Sequence, residues 1–478
     1  MFLRVTAIAA LAASSAAAGA QNFTVTNTDK AKALIDAAVA AHGGDALLRD
    51  LETLVIEQKT TNHAVGQSLA ARPPWDTNES EGFSAISLDD EIFVTRNKGA
   101  GGGFENHTGT IINGDLSYQL NFRAGTAAPI AAPDFANASG PFVRVTPALL
   151  IRTLKDREAN AHYLGRTEAD GESFEVLGFS MTVGPAISLY FEPETHLLRR
   201  SERVFPGFGL VEYRFDNYET RQDIPFNQDF TLYLNGDINL ERKNLSLRMN
   251  QSLDAFLEVP GELVAVPPQR PDPLARQELA DDVWLIGGSG TYALFVDMGD
   301  YIFAAGGTAG IPDRIELLRE VVDDKPIRYG MMTHHHFDHV VGVRAYEAEG
   351  ATVIAATDHE QVVREAAENG AALKLELVDK RMKLEGEQVV EIIDIGPTAH
   401  SQHLLVAWLP AQGILFEADH FALPAEGPVP PAVSSTRSFA DAVARHGLKV
   451  QQFVSAHSPR AGTAEDLAKA VKKQPVES

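Results

Sequence analysis

The chain contains no cysteine in 478 residues. Disulfides, thiolate nucleophiles, cysteine-ligated zinc and iron–sulfur clusters are therefore excluded. Basic residues are scarce: 41 Lys and Arg against 65 Asp and Glu leave a formal net charge of −24. Such a surface repels phosphate, which disfavours nucleic acid and anionic membranes as partners. Long apolar runs are also missing. The run Val5–Ala13 is too short to span a bilayer, so no transmembrane segment is expected in the mature chain. No repeat of fixed period is visible.

The N-terminus reads as an address. Arg4 precedes the short apolar run, and Ala18 and Ala20 occupy the −3 and −1 positions of a cleavage site before Gln21. Residues 1–20 are thus expected to be a removed signal peptide, cut after Ala20. A cysteine-free exported chain suits a bacterial periplasm or secretion beyond it. Length favours two domains over one core. In "TNTDKAKALIDAAVAAHGG", Ala31, Leu34, Ile35, Ala38 and Val39 recur at helical spacing, with Thr28 as cap and Gly43–Gly44 as stop. From Thr53 to about Met249, short branched and aromatic runs such as "TLVIEQKT", "ISLYFEP" and "GLVEYRFDNYE" predict a β-rich region. The expectation for residues 21–265 is one N-terminal helix with a curved or barrel-like antiparallel sheet, as an accessory domain.

"VPPQRPDP" carries four prolines in eight positions and marks residues 266–275 as a stiff linker. Beyond it, in residues 276–478, strands and helices alternate unevenly, which predicts a layered α/β domain. Helices are expected at about 311–322, 339–349, 358–369 and 439–446.

Ten of the fifteen histidines lie between His334 and His457. "MTHHHFDHVVG" packs His334, His335, His336, Asp338 and His339 between a strand and a helix. A core has no use for so many imidazoles, each of which needs a partner. Residues two apart on extended chain face the same way, so His334 and His336 can grip one ion. His400, Asp419 and His457 lie on loops after later strands, and loop ends at one sheet edge converge. His403 is the rival to His400. Asp419 could instead cap a turn. His420 and His403 are candidate pocket groups, whereas His335, His359 and His446 read as surface or helix residues. "GAGGGF", Gly99–Phe104, lacks a phosphate-loop frame and reads as a flexible loop.

His334-x-His336-x-Asp338-His339, followed by His400, Asp419 and His457, resembles the ligand signature of the metallo-β-lactamase superfamily. The resemblance covers roughly Glu278–Ser478. It implies an αββα sandwich with two metals at one edge: His334, His336 and His400 on the first, Asp338, His339 and His457 on the second, and Asp419 bridging. Zinc suits nitrogen and oxygen ligands without sulfur, and iron or manganese would accept the same set. The implied activity is metal-assisted hydrolysis of a small ester, lactone, thioester or β-lactam, with Asp338 steering the nucleophile or relaying a proton. Where many members carry an acid supporting the histidine loop, this chain has Ala304 and Ala305, so support is expected from elsewhere. The N-terminal region is similar in rhythm to outer-membrane lipoprotein-carrier domains. That likeness implies an alternative function, a periplasmic lipid or small-molecule carrier with a structural metal site.

Overall fold

The computed structural model describes residues 23–205, 209–268, 272–322 and 324–473. The expected signal peptide, and residues 269–271 of the proline-rich stretch, lie outside these. No helix among the described residues is long and apolar enough to cross a membrane.

The N-terminal half builds one 14-stranded sheet from two antiparallel meanders. The first runs from Leu54–His63 to Thr126–Pro129, and the second from Ala161–Ala169 to Asp237–Met249. The last strand of the second meander pairs antiparallel with the first strand of the first, Leu54 opposite Met249. A short strand, Val264–Ala265, adds parallel to Thr126–Pro129 at one edge. Among the described residues no ladder joins the two outermost strands, so the sheet they form is open rather than a barrel. Strand alternation gives it two buried faces. Leu54, Ile56, Ile86 and Phe93 pack under the helices, while Val55, Ala85, Val94 and Ile111 pack beneath Leu253 and its neighbours.

The helix Phe23–Ala41 buries Ala31, Leu34, Ile35, Ala38 and Val39, the stripe read from the sequence. It starts before Thr28, which is therefore no cap; its hydroxyl donates to the Thr24 carbonyl within the helix. Gly43 and Gly44 end the helix with positive φ of 106° and 89°, and the Gly44 amide reaches back to the Val39 carbonyl. Two further helices, Phe135–Arg144 and Pro147–Asp156, correct the expectation of a single one. Gly140 and Pro141 inside the first of them mask its helical signal.

His42, at the end of the first helix, is fully buried, with Nδ1 bonded to the Ala38 carbonyl. Burial lowers its pKa to about 4, against the bond that favours the proton. The unfolded chain binds this proton near pH 6.5 and the native chain near 4. Native stability thus falls as pH drops from about 6.5 to 4, by up to about 3 kcal/mol from this group. Urea unfolding at pH 7 and pH 5 should show about 2 kcal/mol of that loss, and less in His42→Gln.

Residues beyond Pro273 fold as two packed sheets. A seven-stranded sheet runs from Ala275–Ala280 to Leu375–Val378, and a six-stranded one from Arg381–Glu385 to Gly462–Thr463. One core, with Leu294, Val296, Phe303, Ile392, Ala407 and Phe416, fills the space between them. Residues of opposite parity pack outward. Trp284, Phe295 and Ile302 meet Ile311, Leu318 and Tyr346 on one outer face, and Val406, Trp408 and Leu415 meet Phe439, Ala442 and Leu467 on the other. This is the expected αββα layering. The helix expected at 339–349 is two short ones, Phe337–Val340 and Val343–Ala348, and Asp358–Asn369 contains only Glu360–Ala366 as α-helix.

Candidate metal centre

Four loops at one edge of the sandwich carry the seven side chains singled out from the sequence. His334, His336, Asp338 and His339 follow the strand Ile327–Met331. His400 lies in the loop between Val389–Asp394 and Leu405–Leu409, Asp419 follows Ile414–Glu417, and His457 follows Gln452–Ser455. Three overlapping groups result: His334, His336, His400; His334, His339, Asp419; and Asp338, His339, His457, each with donor atoms within 4.8 Å of one another. Asp419 Oδ2 lies 3.1 Å from His339 Nε2, 3.2 Å from His334 Nε2 and 3.4 Å from His400 Nε2, and Oδ1 lies 3.0 Å from His457 Nε2.

Hydrogen bonds on the far side of the rings decide which nitrogen faces inward. His400 Nδ1–H donates to the Gly102 carbonyl at 2.6 Å, His457 Nδ1–H to Gly290 at 3.1 Å, and His336 Nε2–H to Ser68 at 3.0 Å. A carbonyl only accepts, so the remaining nitrogen of each neutral ring is a lone pair. His334 and His400 nevertheless bring Nε2 atoms within 3.2 Å, and His339 and His457 within 3.1 Å. Facing lone pairs need a proton or a cation between them. Asp419 Oδ2 is buried and makes no hydrogen bond of good geometry despite its three imidazole neighbours. Inward lone pairs around a buried carboxylate are a donor set for cations.

Electrostatics agree. Burial first, then neighbouring imidazoles, hold His334 and His336 well below the usual histidine range. Burial also opposes charge on His457, yet the bond and charge of Asp419 raise it to about 9, and His400 is raised for the same reasons. Burial disfavours the Asp419 carboxylate, but its histidines outweigh this and hold it well below the usual carboxylate range.

His403 faces away from the cluster, with Nδ1 2.6 Å from Asp394 and Nε2 2.8 Å from Asp358. His420 is buried beside His400, with Nε2 on the Thr398 hydroxyl at 2.9 Å. His446 is exposed, as expected, but His335 and His359 are buried, 1% and 2% exposed, in ring contact with each other. The expectation for both is a surface or helix residue; His359 closes the helical turn Thr357–His359, whereas the burial of His335 corrects its reading. His335 Nε2 shares the Ser68 carbonyl with His336, at 2.9 Å.

The missing acid after Ile302–Ala305 is replaced by backbone. A Cβ on Gly307 would lie 2.1 Å from the His339 carbonyl oxygen, and the Gly342 amide donates to the Gly307 carbonyl at 2.7 Å. The loop therefore rests directly on the motif helix.

Sequence reasoning missed the contribution of the N-terminal sheet. Residues 64–76, between its first two strands, place Ser68 under His335 and His336, and Gln67 Nε2 donates to Asp338 Oδ1 at 2.7 Å. The stretch read as a flexible loop is a hairpin tip joining Ile92–Gly101 to Phe104–Ile112. Gly102 holds His400, and the Phe104 ring meets that imidazole edge-on at 5.2 Å. Ser68 and Gly102 act through carbonyls, which no side-chain pattern announces; the glycine run is the one local signal. Gly103 has φ of +81°, and a Cβ there would lie 2.8 Å from the Ala399 carbonyl oxygen. Gly103→Val should push the tip off His400. We expect metal affinity to drop by about 10–100-fold, the usual cost of losing a ligand's outer hydrogen bond, measured by chelator competition.

Residues 286–474 match the family model of the metallo-beta-lactamase superfamily. The C-terminal region is a metallo-β-lactamase-fold unit. Similar solved structures include the metallo-β-lactamase FIM-1 from Pseudomonas aeruginosa in its mono-zinc form, 23% identical over 42% of this chain and 97% of that one, TM-score 0.33. A metallo-β-lactamase from Pontibacter korlensis is 18% identical over 42% and 100%, TM-score 0.35. One from Hirschia baltica is 20% identical over 41% and 96%, TM-score 0.33. A search of curated proteins finds no match to the chain.

Proposed function

We propose that the chain is an exported hydrolase holding two divalent cations, with a small ester, lactone, thioester or β-lactam as substrate. The observation that carries this is the convergence of five imidazoles and two carboxylates with their outer hydrogen bonds already made. His334, His336 and His400 would hold one ion and Asp338, His339 and His457 the other, with Asp419 shared. Zinc best suits this donor set, with iron or manganese as alternatives. Bound cations would supply hydroxide near neutral pH and a Lewis acid for the electrophile's oxygen.

The side chains differ in access. His334 and His339 are 0% and 1% exposed, whereas His457 is 29% and Asp338 44% exposed. Solvent and substrate therefore approach from the Asp338–His457 side. Gln67 fixes one Asp338 oxygen, which leaves the other to orient a water or accept its proton. A panel of chromogenic esters, thioesters, lactones and β-lactams tests the reading on zinc-loaded protein. Turnover of at least one class, abolished by a chelator and restored by metal, is expected. No turnover across the panel by fully loaded protein would contradict it.

A further inference from the structure

Beside the candidate ligands runs a buried string of polar groups. Its centre is the Thr398 hydroxyl, just upstream of His400. That oxygen accepts the amides of His400 and Ser401, each at 3.2 Å, and lies 2.9 Å from His420 Nε2. A hydroxyl oxygen has two lone pairs, and the amides take both. Its own proton therefore goes to His420 Nε2, the nearer acceptor, since the Ser401 carbonyl is 3.3 Å away. Nε2 is then the lone pair of a neutral His420 ring, and the ring proton sits on Nδ1. Nδ1 lies 3.5 Å from Glu417 Oε2, short of a good hydrogen bond, and both side chains are 0% exposed.

Glu417 folds back on its own chain. Oε2 accepts the His420 amide at 2.8 Å and Oε1 the Phe421 amide at 3.2 Å. The turn closed in this way contains Asp419. The string thus ties the Asp419 turn, after Ile414–Glu417, to the His400 loop, before Leu405–Leu409. These two strands are paired neighbours, with Ala407 opposite Phe416. The Thr436 hydroxyl donates to the His420 carbonyl at 2.6 Å, and the His420 ring meets those of His400 at 5.4 Å and Phe439 at 5.5 Å. Carboxylate, imidazole and hydroxyl in a row is the order of a nucleophilic triad. Thr398 is unsuited to attack, because it is buried and its lone pairs are occupied. What the string can do is hold two loops in register.

We propose that Thr398 and His420 are positioning residues of the metal centre, which fix the His400 loop against the Asp419 turn so that both ligands face one ion. These roles rest on the two-cation reading, so the test includes a readout that needs no metal. Thr398→Val keeps the shape but takes the acceptor from two buried amides, whereas Thr398→Ser keeps the hydroxyl. In the chelator-treated full chain, hydrogen exchange across residues 398–404, followed by mass spectrometry, should quicken by roughly tenfold or more in Thr398→Val and stay near wild type in Thr398→Ser. In zinc titration against a chelator, Thr398→Val should weaken the ion at His334, His336 and His400 by about 10–100-fold and leave the ion at Asp338, His339 and His457 unchanged. His420→Leu should move both readouts the same way, and His420→Gln, whose carbonyl can accept from Thr398, should recover most of the loss. Wild-type exchange in Thr398→Val, equal weakening of both ions, or failure of Thr398→Ser to rescue would overturn the proposal. Zinc-free wild type with the expected exchange would overturn the two-cation reading and leave the tie between the loops standing.

Discussion

Asp419→Ala is expected to reduce hydrolysis by about 10²–10³-fold or more, a loss of the size seen when a charge-stabilising group is removed. Bound metal should fall to one ion per chain or fewer. The reason is position: its two oxygens lie within 3.0–3.4 Å of His334, His339, His400 and His457. Asp338 is the other carboxylate in the cluster and comes only within 3.5 Å of His339. Without Asp419, no carboxylate would be shared between the cations, and the His334, His336, His400 group would be left with nitrogens alone. A second readout needs no metal. Asp419 is what raises His457 to about 9, against burial. In metal-free Asp419→Ala the His457 ring should therefore titrate far below pH 9, as followed by NMR.

Asp338→Asn should lower kcat by about 10²–10⁴-fold, the range for losing a positioned acid–base group. The amide keeps the shape and can still accept from Gln67, so the His334, His336, His400 group should load metal normally. Gln67→Ala isolates the positioning part of the effect. It leaves the carboxylate chemically intact and frees its orientation, and a drop in kcat of roughly tenfold is expected with metal content unchanged. Steady-state kinetics beside elemental analysis distinguish these outcomes. Equal activity of wild type and Asp338→Asn would remove Asp338 from the chemistry.

The sandwich was legible because its strands are buried on both sides or alternate cleanly. Runs such as Val283–Gly288 and Leu405–Leu409 are buried along their whole length, and no other element type suits runs that short between turns. The candidate ligands were legible because imidazole and carboxylate side chains have few other reasons to cluster. The rest of the site was not, for a physical reason. Ser68, Gly102 and Gly307 contribute carbonyls or close backbone approach, which any sequence can supply once tertiary structure brings the loop near. The burial of His335 was hidden likewise, because the carbonyl that satisfies it lies 267 residues away. Thr28 shows the opposite limit: a good capping residue was overridden by a helix that continues upstream to Phe23. The pairing of Leu54–His63 with Asp237–Met249 is a long-range choice that strand patterns cannot encode.

The central claim is that one edge of the sandwich holds two cations through these seven side chains. Equilibrium metal titration of the full chain, read by native mass and elemental analysis, tests it most directly. The account predicts two zinc ions per chain, with His336→Ala and His457→Ala each losing one while the other remains. A plateau at one ion or none, or a second ion indifferent to His457→Ala, would contradict it.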